Sequence, residues 1–516
     1  MKYQAIFIVL LSSVHLFFAQ VLDNNFGTNG KMVYDINANS NIEKIGSMIA
    51  VSNSKILVGG TDNTSAYLVR HNSDGSFDTS FQSNGIKQLP FKSIEKILKT
   101  SNNEMIILGT KLATDGYFNI IVCKVDENGN YVTNFGTNGI LEINFGAQSD
   151  DNVFNGELQS DGKIIVVGNK RGTNALTEGY VLRLLQNGQF DTTFNNTGLF
   201  TIAPVNHRHY LNAVNIAPNG TIVCSGYLLL TTGSNQGRMF ILRLLPNGTL
   251  DTSFATVGYR YFNVTNIGSS LSNTNIVLSD GSILLGGESF SSSNNNVSSN
   301  FTIIKFNVDG SFENSFGTNG VVQTLLPSIG GQLRNMKLDS SNNIIAVGST
   351  YSATNGNENF AMMKFNLSGI LDTQFGNSGV VITDFSGFQD IPYSSLVFDS
   401  KIILAGLASS SDFPSNSKFA LAQYTYNNLG IVESKKADNF KIFPTVFSDN
   451  INIKCEKETK VSVGIFDYSG KLIYEKENFR CSQTPEQLQL PISKQGVYWS
   501  QINSGNKISV QKLIKK

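Results

Sequence analysis

Charge is scarce in this sequence. Lysine and arginine number 39 among 516 residues, aspartate and glutamate also 39, so the formal net charge is zero and 15% of residues are charged. That balance argues against nucleic-acid or anionic-membrane partners, which select a basic surface. Four cysteines are present, in no zinc or haem spacing. No Ser-His-Asp order, G-x-S-x-G, H-E-x-x-H or phosphate-binding glycine loop occurs, so no catalytic residue, metal ligand set or cofactor is assigned. Helical periodicity over ten or more residues is missing between residues 22 and 430. Long apolar runs are missing too, except at the start. There MKYQ precedes AIFIVLLSSVHLFFA, and Gln20 follows Ala19. This reads as a cleaved secretory signal over 1–19, and no membrane span is expected in the mature chain.

What the sequence has in excess is one phrase, written seven times. Its clearest copy is Phe312-Glu313-Asn314-Ser315-Phe316-Gly317-Thr318-Asn319-Gly320. The central phenylalanines are Phe26, Phe81, Phe135, Phe194, Phe254, Phe316 and Phe375, at spacings of 55, 54, 59, 60, 62 and 59 residues. A period of this size signals a repeat architecture. Each period carries four short runs rich in β-branched and aromatic residues, for example GYRYFNV, LSNTNIVLS, SILLGGE and FTIIKFN from Gly258 onward. The second and third runs are joined by Ser279-Asp280-Gly281, which supplies the positive φ of a tight hairpin.

Four antiparallel strands per period make one propeller blade. Inner strands are expected near Met48, Ile97, Phe154, Val214, Ile276, Met336 and Leu396. The outermost strand of each blade follows the phrase. The seventh blade, about 394–426, then lacks an outer strand, while Lys31–Ile36 has no blade of its own. It fits as the outer strand of the last blade and closes the ring. The fold class is therefore all-β, a seven-bladed β-propeller closed by its N-terminal strand.

Within the phrase the acid (Asp23, Asp78, Asp191, Asp251, Glu313, Asp372) is expected to cap a turn, and the phenylalanine to pack between blades. Copy three has Val132 at the acidic position, which predicts a less well capped turn. Asn72-x-Asp74-Gly75 resembles part of a calcium loop. The bidentate glutamate is missing, and Leu245-x-Asn247 stands at the matching place, so turns are the reading.

The phrase, with DGKIIVVG after it, resembles the delta-60 repeat family of bacterial secreted proteins over roughly residues 22–430. That resemblance implies a propeller and no established activity. After a linker at 431–438, the order Phe440-Lys441-Ile442-Phe443-Pro444, Ile451-Asn452-Ile453, Asp467-Tyr468-Ser469-Gly470-Lys471 and Lys512-Leu513-Ile514-Lys515-Lys516 is similar to the type A sorting domain of the type IX secretion system of Bacteroidetes. The usual Pro-Asn-Pro is here Pro444-Thr445-Val446. The segment 439–516 reads as a small Ig-like β-sandwich of about seven strands with a glycine hairpin at Ser469-Gly470. The resemblance implies export by the type IX machinery, then release or attachment at the cell surface. Cys455 and Cys481 fall in this segment and can form a disulfide. Cys123 and Cys224 read as buried singletons.

The phrase and the Asp-Gly hairpins occupy one face of the ring. The variable second-to-third-strand connections and the loops entering the inner strands occupy the other, where binding is expected. On that face His207, Arg208 and His209 sit in the loop entering the fourth inner strand, and Asp150, Asp151 and Asp390 in equivalent loops. These six are the candidate ligand-binding residues. The expected function is a non-catalytic binding or scaffold module for an extracellular glycan or protein. The alternative is a propeller enzyme acting on extracellular polysaccharide.

Overall fold

The computed structural model describes residues 21–171, 176–202, 207–231, 236–264, 268–293, 296–326, 330–352, 356–385, 387–398, 400–411, 416–425, 440–467, 472–504 and 507–516. The 1–19 signal, the 431–438 linker and the Ser469-Gly470 hairpin lie outside them. The chain divides into two compact units, 1–427 and 428–516.

The first unit is built of seven antiparallel sheets, each running from an inner to an outer strand. The inner strands are Lys44–Ala50, Ser93–Lys99, Asn152–Leu158, His207–Ile216, Ser270–Val277, Gly331–Leu338 and Asp390–Phe398. Each packs beside the inner strand of the next sheet, and the seventh packs beside the first. The ring is closed by pairing of Lys31–Tyr34 with Phe419–Ala422. A further two-residue strand, Val21–Leu22, pairs with Tyr424 and Thr425.

All seven inner strands carry a bulge at the same place, for example between Leu333 and Asn335. The reason lies in the second strand. Opposite each bulge stands a glycine, and a Cβ at Gly109 or Gly348 would collide with the carbonyl oxygen of Ser93 or Gln332. Only glycine tolerates so close a backbone approach.

The cores lie between blades, not within them. Of the seven buried clusters in this unit, one joins Leu57 and Leu68 of blade one to Ile94 and Ile107 of blade two. Another joins Ile403 and Phe419 of blade seven to Ile45 and Val58 of blade one. The phrase phenylalanine sits at each junction, 0–1% exposed in all seven copies. Phe81 and Phe194 lie against Gly129 and Gly248 of the following blade. One residue on, Gly136 and Ala255 donate their N–H groups to Asn187 and Asp309 carbonyls of the following blade at 2.8 Å.

An arginine completes the junction. Arg70, Arg183 and Arg243 on third strands pair with Asp78, Asp191 and Asp251 at 2.5, 2.8 and 2.7 Å. Each guanidinium stacks on its phrase phenylalanine at 4.7–4.8 Å. Each also donates to a carbonyl of the next blade: Glu127, Pro246 and Val308 respectively. Burial pushes the Asp78 carboxyl up, but hydrogen bonds from Lys55, Ser80 and Arg70 outweigh it and hold the group below the usual range. In copy three, Val132 leaves Lys124 without the acid, and Lys124 pairs with Glu104 at 2.6 Å instead. The closing junction keeps the same register. Asp23 N–H donates to Gln423 O as Asp78 N–H donates to Arg70 O, both at 2.8 Å. Lys401 meets Asp23 at 3.1 Å, as Lys55 meets Asp78 at 2.8 Å.

The second unit holds a three-stranded and a five-stranded sheet with one shared core, including Ile451, Ile453, Val463, Ile465 and Leu513. Eight strands are present among the described residues of 440–516. Cys455 and Cys481 are joined by a disulfide. The terminal lysines are not a loose tail. Lys507–Lys515 is a strand of the larger sheet, and Lys515 pairs with Asp449 at 3.1 Å. Cys123 and Cys224 are free and buried.

Candidate functional site at the loop face

The sequence-derived candidates do not occupy loops throughout. His207 to His209 begin the fourth inner strand and pair with Leu230 to Leu228. Asp390 likewise opens its strand, pairing with Ala408. The second-to-third-strand connections are also shorter than the sequence suggests. In blade five, Ile283–Ser293 and Asn296–Phe306 pair out to Ser293 and Asn296, so this connection is mostly a long hairpin. Backbone pairing prevails over polar composition in both places.

Three of the candidates share one structural position. Asp151, His209 and Asp390 each stand two residues before the bulge flank, as Glu43 does in blade one, and all four are fully buried. The carboxylates at this position hold the incoming loop. Glu43 accepts N–H bonds from Ile36 and Asn37 at 2.8–3.1 Å. Asp151 accepts from Phe145 at 2.6 Å, and Asp390 from Phe385 at 2.7 Å. Burial pushes the Asp390 carboxyl up to about 7, with Asp384 adding to the rise. Asp150 is exposed and accepts the Phe118 N–H at 3.1 Å, and Arg208 is exposed. The His209 ring stands edge-on to Phe240 at 5.1 Å and stacks with His207 at 6.2 Å. Burial draws the His209 imidazole down to about 4. These residues thus belong to blades three, four and seven, and the carboxylates of Asp151 and Asp390 bond within their own incoming loops. No group of three or more metal-ligating side chains forms among the described residues.

A different cluster breaks the repeat at the loop face, over blades five to seven. Arg334 is the bulge residue of blade six. Its Nη2 lies 3.5 Å from Glu358 and donates to Gln332 Oε1 at 2.6 Å. Gln332 in turn donates to the Tyr351 hydroxyl at 2.7 Å. Ser349 donates its hydroxyl to Glu358. Glu288 of blade five, buried, accepts from Ser299 at 3.3 Å. Burial pushes its carboxyl up to about 7 against the pull of Arg334, and the charge on Glu358 adds to the rise. Tyr393, the bulge residue of blade seven, lies between two cations, with Arg334 at 5.4 Å and Lys44 at 5.3 Å from its ring. Where Glu358 stands, blades three, four and five carry Thr177, Gly237 and Ser299. Sequence reasoning missed this cluster. Its one visible signal is the charge of Glu358 where blades three, four and five hold small residues.

The remaining mature histidine has a structural place. His71, buried, donates Nδ1–H to the Gly75 carbonyl at 2.9 Å, which leaves Nε2 to accept the Tyr34 hydroxyl at 2.9 Å. Tyr34 belongs to the closing strand. Burial draws His71 down to about 4. Its folded value is below the unfolded value of about 6.5, so the stability is complete above pH 6.5 and falls as pH drops toward 4. A His71→Asn variant should lose this dependence. Relative to it, the wild type should lose about 3 kcal/mol between pH 6.5 and 4 in urea titrations at stepped pH. A constant difference between the two proteins would contradict this.

Comparison with known proteins gives two family matches. Residues 52–81, 159–194, 217–254, 278–316 and 340–375 match the β-propeller domain of unknown function DUF5122. Residues 441–516 match the secretion system C-terminal sorting domain. No curated protein matches the chain. Among solved structures, virginiamycin B lyase of Staphylococcus aureus is similar at 11% identity and a TM-score of 0.40, covering 76% of this chain and 99% of that one. A polysaccharide lyase of family PL25, an ulvan lyase, is similar at 10% identity and 0.43, covering 73% and 94%. PorZ of Porphyromonas gingivalis, a surface component of the type IX secretion system, is similar at 10% and 0.24, covering 92% and 81%. Likeness at these scores carries no functional argument. No helix among the described residues is long and apolar enough to cross a membrane. The chain thus carries DUF5122 β-propeller repeats followed by a C-terminal type IX secretion sorting domain, which directs it to the cell surface or the extracellular space.

Proposed function

We propose that this protein is a non-catalytic binding propeller that holds an extracellular glycan or protein surface at the loop face. The observation that carries the reading is the cluster of Arg334, Glu358, Tyr351 and Tyr393. It departs from the repeat where the framework does not require departure, and it combines a guanidinium, a carboxylate and two tyrosines on one rigid rim. Such groups suit polar recognition with aromatic contact. The six candidate residues named from the sequence remain part of the proposed face, with Asp151 and Asp390 shaping its loops.

A glycan array probed with the mature chain tests this. Retention of one glycan class by the wild type, reduced about tenfold by Arg334→Ala or Tyr393→Ala, is the expected result. A blank array removes glycans as the ligand. One observation favours the alternative of an enzyme on extracellular polysaccharide: the Glu288 carboxyl, raised by burial to about 7, feels the charge of Glu358, an arrangement open to acid–base work. New reducing ends or unsaturated ends released from a polysaccharide, and abolished by Glu288→Gln, would replace the binding reading.

A further inference from the structure

We propose a second ligand site, for an acidic saccharide, in the groove on the rim between blades one and two. It deepens the binding reading by naming a ligand class, and it stands apart from the Arg334 cluster. The groove has a volume of about 800 Å³, within the range of small-molecule sites. It runs from the loop connections Asn63–Ser65 and Pro90–Lys92, along the outer strand Ile86–Leu89, to Tyr131.

Three lysines face it: Lys87, Lys92 and Lys111. Lys111 is neutralised by Glu142 at 2.9 Å. Among the described residues, no carboxylate lies within ion-pair distance of Lys87 or Lys92. Each of these two rests instead over an aromatic ring, Lys87 over Tyr131 at 4.5 Å and Lys92 over Phe118 at 4.9 Å. Two ammonium groups fixed in place and unneutralised, in a chain of zero net charge, leave a local positive field that an anion would complete.

The walls say what kind of anion. Tyr131 and the 51%-exposed Leu112 offer apolar surface, and Gln88 and Asn63 offer polar groups. Sugars present both kinds of surface. Other copies of the phrase carry Phe or Leu at position 131, so the Tyr131 hydroxyl is the departure from the repeat, while a cation over the ring recurs as Arg260 over Phe312 at 4.4 Å. With only two free cations, the groove fits a short carboxylated or sulfated oligosaccharide better than the long phosphate run of a nucleic acid.

The test is isothermal titration of the mature full-length chain with a galacturonate hexamer, a neutral maltohexaose and a single-stranded DNA hexamer. Binding of the galacturonate hexamer alone is expected, weakened several-fold between 50 and 300 mM salt. Lys87→Gln with Lys92→Gln should weaken it about 25-fold, at about 5-fold per lysine. Arg334→Ala should leave it unchanged. Both lysines are partly exposed, so melting temperatures equal to wild type confirm that the variants are folded. Absence of galacturonate binding, equal or tighter DNA binding, or indifference to the two lysine changes each overturns the site. Should neutral glycans bind an array while galacturonate fails in solution, the groove is refuted and the loop-face reading stands. Should both fail, the groove is refuted and the loop face is left with a protein surface as its ligand.

Discussion

Deleting residues 21–34 from the mature chain should open the ring. The deletion removes Phe26, buried at the junction of blades seven and one, and the strand Lys31–Tyr34 that covers Phe419–Ala422. Loss of a buried phenylalanine alone is worth about 3–5 kcal/mol. The deletion also withdraws the Lys401–Asp23 ion pair and the Tyr34–His71 bond. The edge left behind is apolar and unpaired, which favours association with a second chain. The expected outcome is a loss of more than about 5 kcal/mol in chemical denaturation, with dimers or larger species on gel filtration. A monomer with unchanged stability would show that the ring does not depend on this strand. Phe26→Ala should give the smaller loss without exposing the edge.

The second large effect is expected at the arginine junction. Arg243→Ala breaks an ion pair whose two side chains are 8% and 10% exposed. It removes the stacking on Phe254 and the bond to the Val308 carbonyl of the next blade as well. Removing one partner of a buried pair costs about 3–5 kcal/mol, because the other charge is left without compensation. The equivalent lysine of blade six, Lys364, pairs with Asp372, whose side chain is 35% exposed. Lys364→Ala should cost about 1 kcal/mol or less. Equilibrium denaturation of the two variants side by side decides the matter. Equal effects would mean that the stacking and the cross-blade bond contribute little.

The sequence announces the framework because its devices are local. A tight turn needs Asp-Gly within a few residues, and a strand shows its period over five or six. The place of Lys31–Tyr34 follows from counting those units. The arginine junction is not legible, because Arg70, Arg183 and Arg243 lie inside apolar third strands with no local mark of their role. Their partners stand eight positions away, across a turn and outside any helical or strand spacing. The sequence places His207-Arg208-His209 in the loop entering the fourth inner strand, with no β-branched residue there to mark a strand. The strand forms because Leu228–Leu230 continue the neighbouring strand and supply the pairing. The Arg334 cluster was the least legible. Glu288, Arg334 and Glu358 come from three strands in two blades, and their proximity depends on the bulge and on the packing of one blade on the next.

The closing contact also bears on the polymer physics of the ring. Glu43 of blade one and Ser417 of blade seven meet although they are 374 residues apart in sequence, whereas the phrases of neighbouring blades are 54–62 residues apart. The entropy of closing a loop grows only with the logarithm of its length, so the seventh junction costs about 2 kcal/mol more than an ordinary one. One further copy of the standard junction is enough to offset that difference. The two ends of the ring therefore need no covalent tie: the same phrase that joins consecutive blades is strong enough to bring a chain of some four hundred residues back onto its own beginning.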